Sequence, residues 1–234
     1  MALLDPEEFD PERASSIAKA LERAGTAAVM LGGSTVSLPG QISGLAKRIR
    51  AESEIPIILF PNGVSGVVGE ADAIFFMSLM NSTNPYYIVG AQALAAPLVK
   101  RFGLEAIPMG YIIIGGAQTS VSFIGQANPI PQDKPGIAAM YALAAQYLGM
   151  RFVYLEAGSG AGEPVRPEVI RRVKGAVDIP VIVGGGISTP ELAGKAVEAG
   201  ADAVVTGTAV EGGEIERVVE IVGAVRRDRA LRRG

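Results

Sequence analysis

The sequence predicts a single (β/α)8 TIM-type barrel, α/β in class, with phosphate-binding loops after strands six, seven and eight. Three observations lead there. Eight short apolar runs recur along the chain with helix-forming stretches between them. The runs are continuous rather than alternating, as expected of parallel strands covered on both faces. The length of 234 residues suits one barrel of about 250, and no shift in composition marks a boundary, so residues 1–234 read as one domain.

The predicted strands are 2–4, 26–31, 56–60, 73–77, 106–114, 152–155, 180–184 and 202–206. The first is very short. Predicted helices cover 11–24, 39–51, 85–102, 135–148, 166–176, 190–199 and 214–231; the fourth strand–helix linkage is the least distinct. Several helices open with proline in the first turn, where its missing N–H has no intrahelical partner to lose. Gly25, Gly103, Gly149 and Gly200 stand where helix C-caps are expected. The segment from Gly115 to Lys134, rich in Gly, Ser, Gln and Pro, is long for a compact domain. It is expected to form a lid or substrate wall at the catalytic end, the alternative being a disordered insertion.

Composition removes several chemistries. The chain has no Cys and no His, so thiolate nucleophiles, disulfides, histidine bases and the common zinc sets are excluded. A net charge of −3 argues against non-specific nucleic-acid binding. No apolar run approaches the ~18 residues of a membrane span, and the N-terminus reads as no signal peptide. A cytoplasmic setting is the expectation. Lys19, Lys47, Lys100, Lys134, Lys174 and Lys195 map to helices or a helix approach rather than strand ends, which disfavours Schiff-base chemistry.

Three glycine clusters follow the last three strands: Gly158-Ser159-Gly160, Gly184-Gly185-Gly186 and Gly207-Thr208. Glycine lets backbone N–H groups approach a ligand closely, and helix N-termini behind the turns favour an anion. Loops after strands seven and eight are the usual phosphate site of a barrel. The other polar groups near strand ends are Asp5, Ser34, Asn62, Asn81, Ser82, Tyr111, Tyr154 and Glu156. Asp5 can hold Mg²⁺ beside substrate phosphates, or cap its own turn. Ser34 is a second metal or phosphate contact, or ordinary turn chemistry. Glu156 ends a buried strand beside the anion site, where burial suits it as a base; otherwise it pairs with Arg151 or Arg166. Tyr141 and Tyr147 are expected in core or subunit contacts. The C-terminal arginines at 226, 227, 229, 232 and 233 either complement the helix dipole or touch anionic lipid.

These stretches together resemble the geranylgeranylglyceryl phosphate synthase family and its bacterial heptaprenylglyceryl relatives. The carriers are Leu3-Leu4-Asp5-Pro6-Glu7, the run Val29-Met30-Leu31-Gly32-Gly33-Ser34, Phe76-Met77-Ser78-Leu79-Met80-Asn81-Ser82, Gly110-Tyr111-Ile112, Gly184-Gly185-Gly186-Ile187 and Val205-Thr206-Gly207-Thr208. The most specific is Tyr154-Leu155-Glu156-Ala157-Gly158-Ser159-Gly160. The resemblance implies a barrel prenyltransferase that joins sn-glycerol 1-phosphate to a polyprenyl diphosphate, geranylgeranyl diphosphate being the expected donor. It matches Asp5 and Ser34 to a Mg²⁺ site. It matches Tyr154, Leu155, Glu156, Ala157, Gly158, Ser159, Gly160, Gly185, Gly186, Gly207 and Thr208 to glycerol phosphate. Glu156 matches the residue that activates the glycerol hydroxyl, and Tyr154 is counted with it as catalytic. Homo-oligomers, dimeric or hexameric, and peripheral membrane contact belong to the same expectation. Leu3, where some members carry Lys, and Gln92, where close relatives carry His, depart from the pattern. The competing reading is another phosphate-binding barrel enzyme, an isomerase or lyase of a phosphorylated metabolite.

Overall fold

In the computed structural model of the chain, eight parallel strands pair in chain order. Residues 1–33, 38–115, 119–158, 161–207, 210 and 215–231 are described. The order is β1 (Ala2–Leu4), α1 (Pro11–Ala24), β2 (Val29–Leu31), α2 (Pro39–Arg50), β3 (Ile57–Leu59), a 3-10 turn (Val64–Gly66) and β4 (Ala73–Leu79). A π-helical turn (Tyr86–Gly90) then runs into α3 (Ala91–Phe102), followed by β5 (Glu105–Ile113), α4 (Ser120–Ile124), α5 (Pro135–Tyr147) and β6 (Phe152–Glu156). The chain ends with α6 (Pro167–Lys174), β7 (Val181–Gly184), α7 (Pro190–Ala199), β8 (Ala203–Val204) and α8 (Ile215–Leu231). The sheet closes on itself where the Leu3 N–H donates to the Thr206 carbonyl at 2.8 Å and Ala2 bridges Thr206. The expected barrel is therefore the observed one.

Two apolar layers result from the period-two alternation of each strand. One lies between strands and helices and includes Leu4, Leu31, Val153, Leu155, Val181 and Val183. The other fills the barrel interior with Met30, Phe75, Met109, Tyr111, Tyr154 and Ile182. Burying each such side chain contributes roughly 1.5–3 kcal/mol. Glycine permits one close strand–helix approach: a Cβ at Gly110 would lie 2.5 Å from the Ala145 Cβ, so β5 rests directly on α5.

Several predicted boundaries shift for local reasons. The second strand begins at Val29 rather than 26, because the Thr26 N–H is taken by the Leu21 carbonyl in the closing turn of α1. Gly25 and Gly103 cap α1 and α3 in the left-handed region, at φ 81° and 69°. The fourth strand extends to Leu79, since Ser78 and Leu79 continue the ladder with Gly110 and Tyr111. Its polar Ser78 is accommodated by donating to the Ile88 carbonyl at 2.8 Å. β8 is shorter than 202–206: Asp202 instead accepts from Lys174 at 2.6 Å and from the Val181 N–H at 2.8 Å. Tyr141 and Tyr147 are exposed on α5, so neither is a core residue.

The segment after β5 is ordered by the loop that follows β4. The buried Asn81 side chain donates to the carbonyls of Ile113 and Asn128 and accepts from the Ile113 N–H. Ser82 donates to the Gly125 carbonyl at 2.6 Å and bridges Ala127. Gln132 ties the far end of the segment to Pro164 and Arg166. Its described residues from 119 to 134 form a pinned wall carrying α4.

Candidate active site

At the C-terminal ends of the strands one cavity joins two unlike halves. Its polar half is lined by Asp5, Gly33, Tyr154, Glu156, Gly185, Gly186 and Gly207. Its apolar half runs past Phe60, Phe76 and Met77 toward Val67, Ala91 and Ala95, beneath α3. Phe60, Tyr111 and Tyr154 meet at the junction. The Phe60 ring lies 5.5 Å from Tyr111 and 5.7 Å from Tyr154, and the two tyrosines are 5.1 Å apart.

Glu156 is the last residue of β6, buried and pointing into the barrel mouth. Its Oε1 accepts from the Gly158 N–H at 2.6 Å. Burial pushes its carboxyl above the usual carboxylate range; the Gly158 N–H and the Tyr154 and Tyr111 hydroxyls partly offset this by hydrogen bonding. Burial raises both phenols well above their ordinary value, and the Glu156 charge adds to it. Among the described residues no cation pairs with Glu156: Arg151 pairs with Glu105 and Arg166 with Glu163. The ion-pair alternative is thereby overturned.

The glycines do more than expose N–H groups. A Cβ at Gly184 would lie 2.1 Å from the Tyr154 hydroxyl, and one at Gly185 would lie 2.3 Å from Glu156 Oε1. Gly185 and Gly186 are left-handed, at φ 79° and 70°. Among the described residues, no backbone acceptor takes the N–H groups of these two glycines. They are the part of the cradle open to an anion. Gly158 also turns left-handed, at φ 107°, against Thr119 of the wall.

Asp5 sits across the mouth, just past β1, half-buried. Its Oδ1 accepts from the Glu7 N–H at 3.0 Å, so it does organise its own turn. Burial raises its pKa; the Glu7 N–H lowers it, and the charges of Glu7 and Glu8 add to the rise. A Cβ at Gly33 would lie 2.1 Å from Oδ2. No Lys or Arg pairs with Asp5 among the described residues.

Not every expected contact faces the cavity. Leu155 packs fully buried in the outer layer. Ala157 packs there too, and its N–H is taken by the Gly184 carbonyl at 3.1 Å. Neither side chain reaches the mouth, because both alternate outward from Tyr154 and Glu156. The Gly158 N–H is spent on Glu156. Ser34, Ser159, Gly160 and Thr208 lie outside the described residues. Asn81 and Ser82 are scaffold rather than chemistry. Gln92 lines the cavity but donates to the Met77 and Tyr87 carbonyls. Arg226 reaches the Ala24 carbonyl at 3.4 Å. Of the junction residues, Tyr111 is a strand-end candidate in the sequence without a catalytic or glycerol-phosphate role, and Phe60 is not singled out there. Apolar neighbours and strand position hint at them; the cross-strand pairing of Tyr111 with Tyr154 does not exist in the linear chain.

The model of the PcrB family matches residues 1–225. The chain belongs to the PcrB family. Among its relatives, the geranylgeranylglyceryl phosphate synthase of Thermococcus gammatolerans is 56% identical over 92% of this chain and 85% of its own length. That of Methanopyrus kandleri is 52% identical over 97% and 93%. A crystal structure of (S)-3-O-geranylgeranylglyceryl phosphate synthase from Thermoplasma acidophilum, in complex with substrate sn-glycerol-1-phosphate, superposes with a TM-score of 0.93. It is 43% identical, covering 97% of this chain and 92% of that one. Family membership and fold thus agree with the motif resemblance over nearly the whole chain. As to membranes, no described helix is long and apolar enough to cross one.

Proposed function

We propose that this PcrB-family chain is a prenyltransferase that forms the ether bond between sn-glycerol 1-phosphate and a polyprenyl diphosphate, with geranylgeranyl diphosphate as donor. This is the first ether step of archaeal-type phospholipid synthesis. The observation that carries the reading is Glu156: a buried carboxylate with no cation partner among the described residues, seated where an open glycine cradle meets an apolar groove. The family relatives named for this reaction support it.

The chemistry divides between the two halves. The N–H groups of Gly185 and Gly186 bind the phosphate of glycerol phosphate, with Gly207 beside them and Ser159, Gly160 and Thr208 as further proposed contacts. Glu156 accepts the proton of the 3-hydroxyl. The freed oxygen attacks C1 of the prenyl chain, the C1–O bond to diphosphate breaks, and diphosphate departs. The walls of the groove keep water from competing for C1. Burial makes Glu156 a stronger base once ionised than a solvated carboxylate.

Asp5, with Ser34 as the second proposed ligand, would hold Mg²⁺, which when bound neutralises charge on the leaving diphosphate. The donor set fits: Mg²⁺ is commonly held by one or two carboxylates plus substrate phosphates and water, and Asp5 is an acid that no Lys or Arg pairs with among the described residues. No group of three acidic, Cys or His residues suited to a metal occurs among the described residues, so substrate oxygens and water would supply the remaining ligands.

Transfer of radiolabelled sn-glycerol 1-phosphate into an organic-extractable product tests the reading, with geranylgeranyl and longer prenyl diphosphates in parallel. Label is expected in the organic phase, lost with EDTA and lost with sn-glycerol 3-phosphate. No transfer with any donor, from folded protein, would overturn the function; transfer that survives EDTA would overturn only the Mg²⁺ assignment.

A further inference from the structure

We infer that the face made by the π-helical turn, α3 and α4 docks on an anionic lipid surface, so that the groove behind it is loaded from the bilayer. The choice of lipid as occupant rests on the reading of that groove as the seat of a polyprenyl chain.

Charge sets this face apart. Residues 73–132 contain one acid, Glu105, of the 24 in the chain, and Arg151 pairs with it. The cations of the same stretch are Lys100 and Arg101. Both are exposed, and neither pairs with an acid among the described residues, whereas Lys47, Arg50 and Arg166 each do. A chain of net charge −3 thus keeps one face clear of unpaired acids and gives it two unpaired cations.

The apolar side chains of the face adjoin the groove. From Tyr86 to Val99 no residue is charged, and a helix apolar all round is normally covered on every side. Here Tyr87, Ala91, Gln92 and Ala95 line the groove, while Val89 and Leu94 project into solvent, 61% and 63% exposed. α4 repeats the arrangement: Val121 and Ile124 line the groove and Phe123 is 67% exposed. Ser82 donates to the Gly125 carbonyl and Thr83 to the Gln126 carbonyl, which sets α4 beside the π-helical turn at the rim.

Exposed apolar side chains beside an apolar opening, with cations among them and no unpaired acid, suit an interfacial contact. The apolar groups enter the acyl boundary, and the Lys and Arg heads stay at the level of the anionic headgroups. A second copy fits less well. In a twofold contact the face meets itself, and Lys100 and Arg101 would find no free acid there. α3 would lie along the surface, since no described helix is long and apolar enough to cross a membrane. The groove then opens where an amphiphile with a long apolar chain is concentrated.

Flotation with vesicles of mixed phosphatidylglycerol and phosphatidylcholine, and of phosphatidylcholine alone, tests the docking without substrate. Wild type is expected to float with the anionic vesicles and far less with the neutral ones, and added salt should release it. Lys100→Gln with Arg101→Gln should weaken binding to the anionic vesicles about 25-fold, at about fivefold per cation. Leu94→Ser with Phe123→Ser should weaken binding to both kinds. Met140→Ser with Tyr147→Ser, on the exposed side of α5, is the control and should change nothing. Transfer from geranylgeranyl diphosphate held in vesicles should fall in the α3 and α4 variants, while transfer from donor dispersed without lipid stays at the wild-type rate. No flotation of folded wild type, or flotation that the α5 control lowers as much as the α3 and α4 variants do, would overturn the inference. So would a dimer in light scattering that Leu94→Ser with Phe123→Ser dissolves, which would give the face to a second copy. If no donor supports transfer and the α3 and α4 variants still lose flotation, the proposed function fails and the docking stands.

Discussion

Asp5 and Glu156 face each other across one cavity, both pushed above the usual carboxylate range by burial, and their neighbours treat them differently. Asp5 is half-buried and receives one backbone N–H, with two more acids, Glu7 and Glu8, close by. Glu156 is buried, accepts from the Gly158 N–H and is stabilised by the neutral Tyr154 and Tyr111 hydroxyls, with no Lys or Arg acting on it among the described residues. Each is seated in a recess that only glycine can leave, Gly33 for Asp5 and Gly185 for Glu156. A half-buried acid among acids, with no Lys or Arg pairing with it among the described residues, is suited to gather a cation. An acid surrounded by neutral donors is suited to take and release a proton. The same residue class is steered to two tasks by what the adjacent strand ends supply.

The largest effect should come from separating those tasks at Glu156. Glu156→Gln keeps the shape and removes the basicity, and turnover is expected to fall by roughly 10²–10⁴ while sn-glycerol 1-phosphate still binds. Single-turnover rates alongside calorimetry check this. A wild-type rate would break the contrast by showing that Glu156 does not take the proton.

The two recesses give the next, smaller test. Gly185→Ala places a Cβ on Glu156 Oε1 and also strains a residue at φ 79°. Displacing the carboxylate by about 1 Å should lower kcat on the order of 100-fold. Gly33→Ala crowds the Asp5 carboxylate in the same way, but its φ lies outside the left-handed region, so only the side chain must move. Its expected loss is about tenfold in kcat, an order below the Gly185 figure, and it should appear as a raised Mg²⁺ requirement. Equal losses, with no change in Mg²⁺ dependence, would mean that both glycines merely support the fold.

How much of this was written in the chain follows from what each feature depends on. Strands were legible because continuous apolar runs survive any tertiary detail, and α7 was legible to the residue because Thr189 caps it and Gly200 closes it. Asp5 and Glu156 were legible as strand-end acids. The purpose of Gly184 and Gly185 was not: a glycine run reads as an anion loop, whereas the space it leaves for Tyr154 and Glu156 exists only once β6 and β7 pair. Tyr111 was legible as a strand-end residue, but its pairing with Tyr154 and Phe60 was not, for the same reason. Leu155 and Ala157 were drawn into the site by a contiguous motif, although strand alternation turns every second side chain of such a motif away from the mouth. Asn81 looked like chemistry because a buried polar residue at a strand end does; its partners, Ile113 and Asn128, are backbone groups some thirty to fifty positions away.

The smallest expected effect concerns stability, and it bears on why Glu156 has no cation. A carboxyl raised on folding binds its proton more tightly folded than unfolded. Its contribution is complete at pH below the unfolded value and is lost as pH rises through the folded value. As pH rises through the folded value, the ionised Glu156 therefore becomes a burden on the fold that the Gly158 N–H and the neighbouring hydroxyls only partly relieve. Glu156→Gln removes the charge, so at pH above the folded value the variant should be more stable than wild type, within the range of about 0.5–2 kcal/mol typical of stabilising substitutions, with a Tm higher by a few degrees. The gain should shrink as pH falls and the wild-type carboxyl takes up its proton. Calorimetric melts at pH 5 and pH 8 decide it. A variant less stable at pH 8 would mean that the Gly158 N–H and the two hydroxyls outweigh burial. The carboxylate would then be a keystone of the mouth, and the contrast with Asp5 would rest on chemistry alone. A variant that is inactive and more stable would mark Glu156 as a group the fold tolerates for the sake of the reaction.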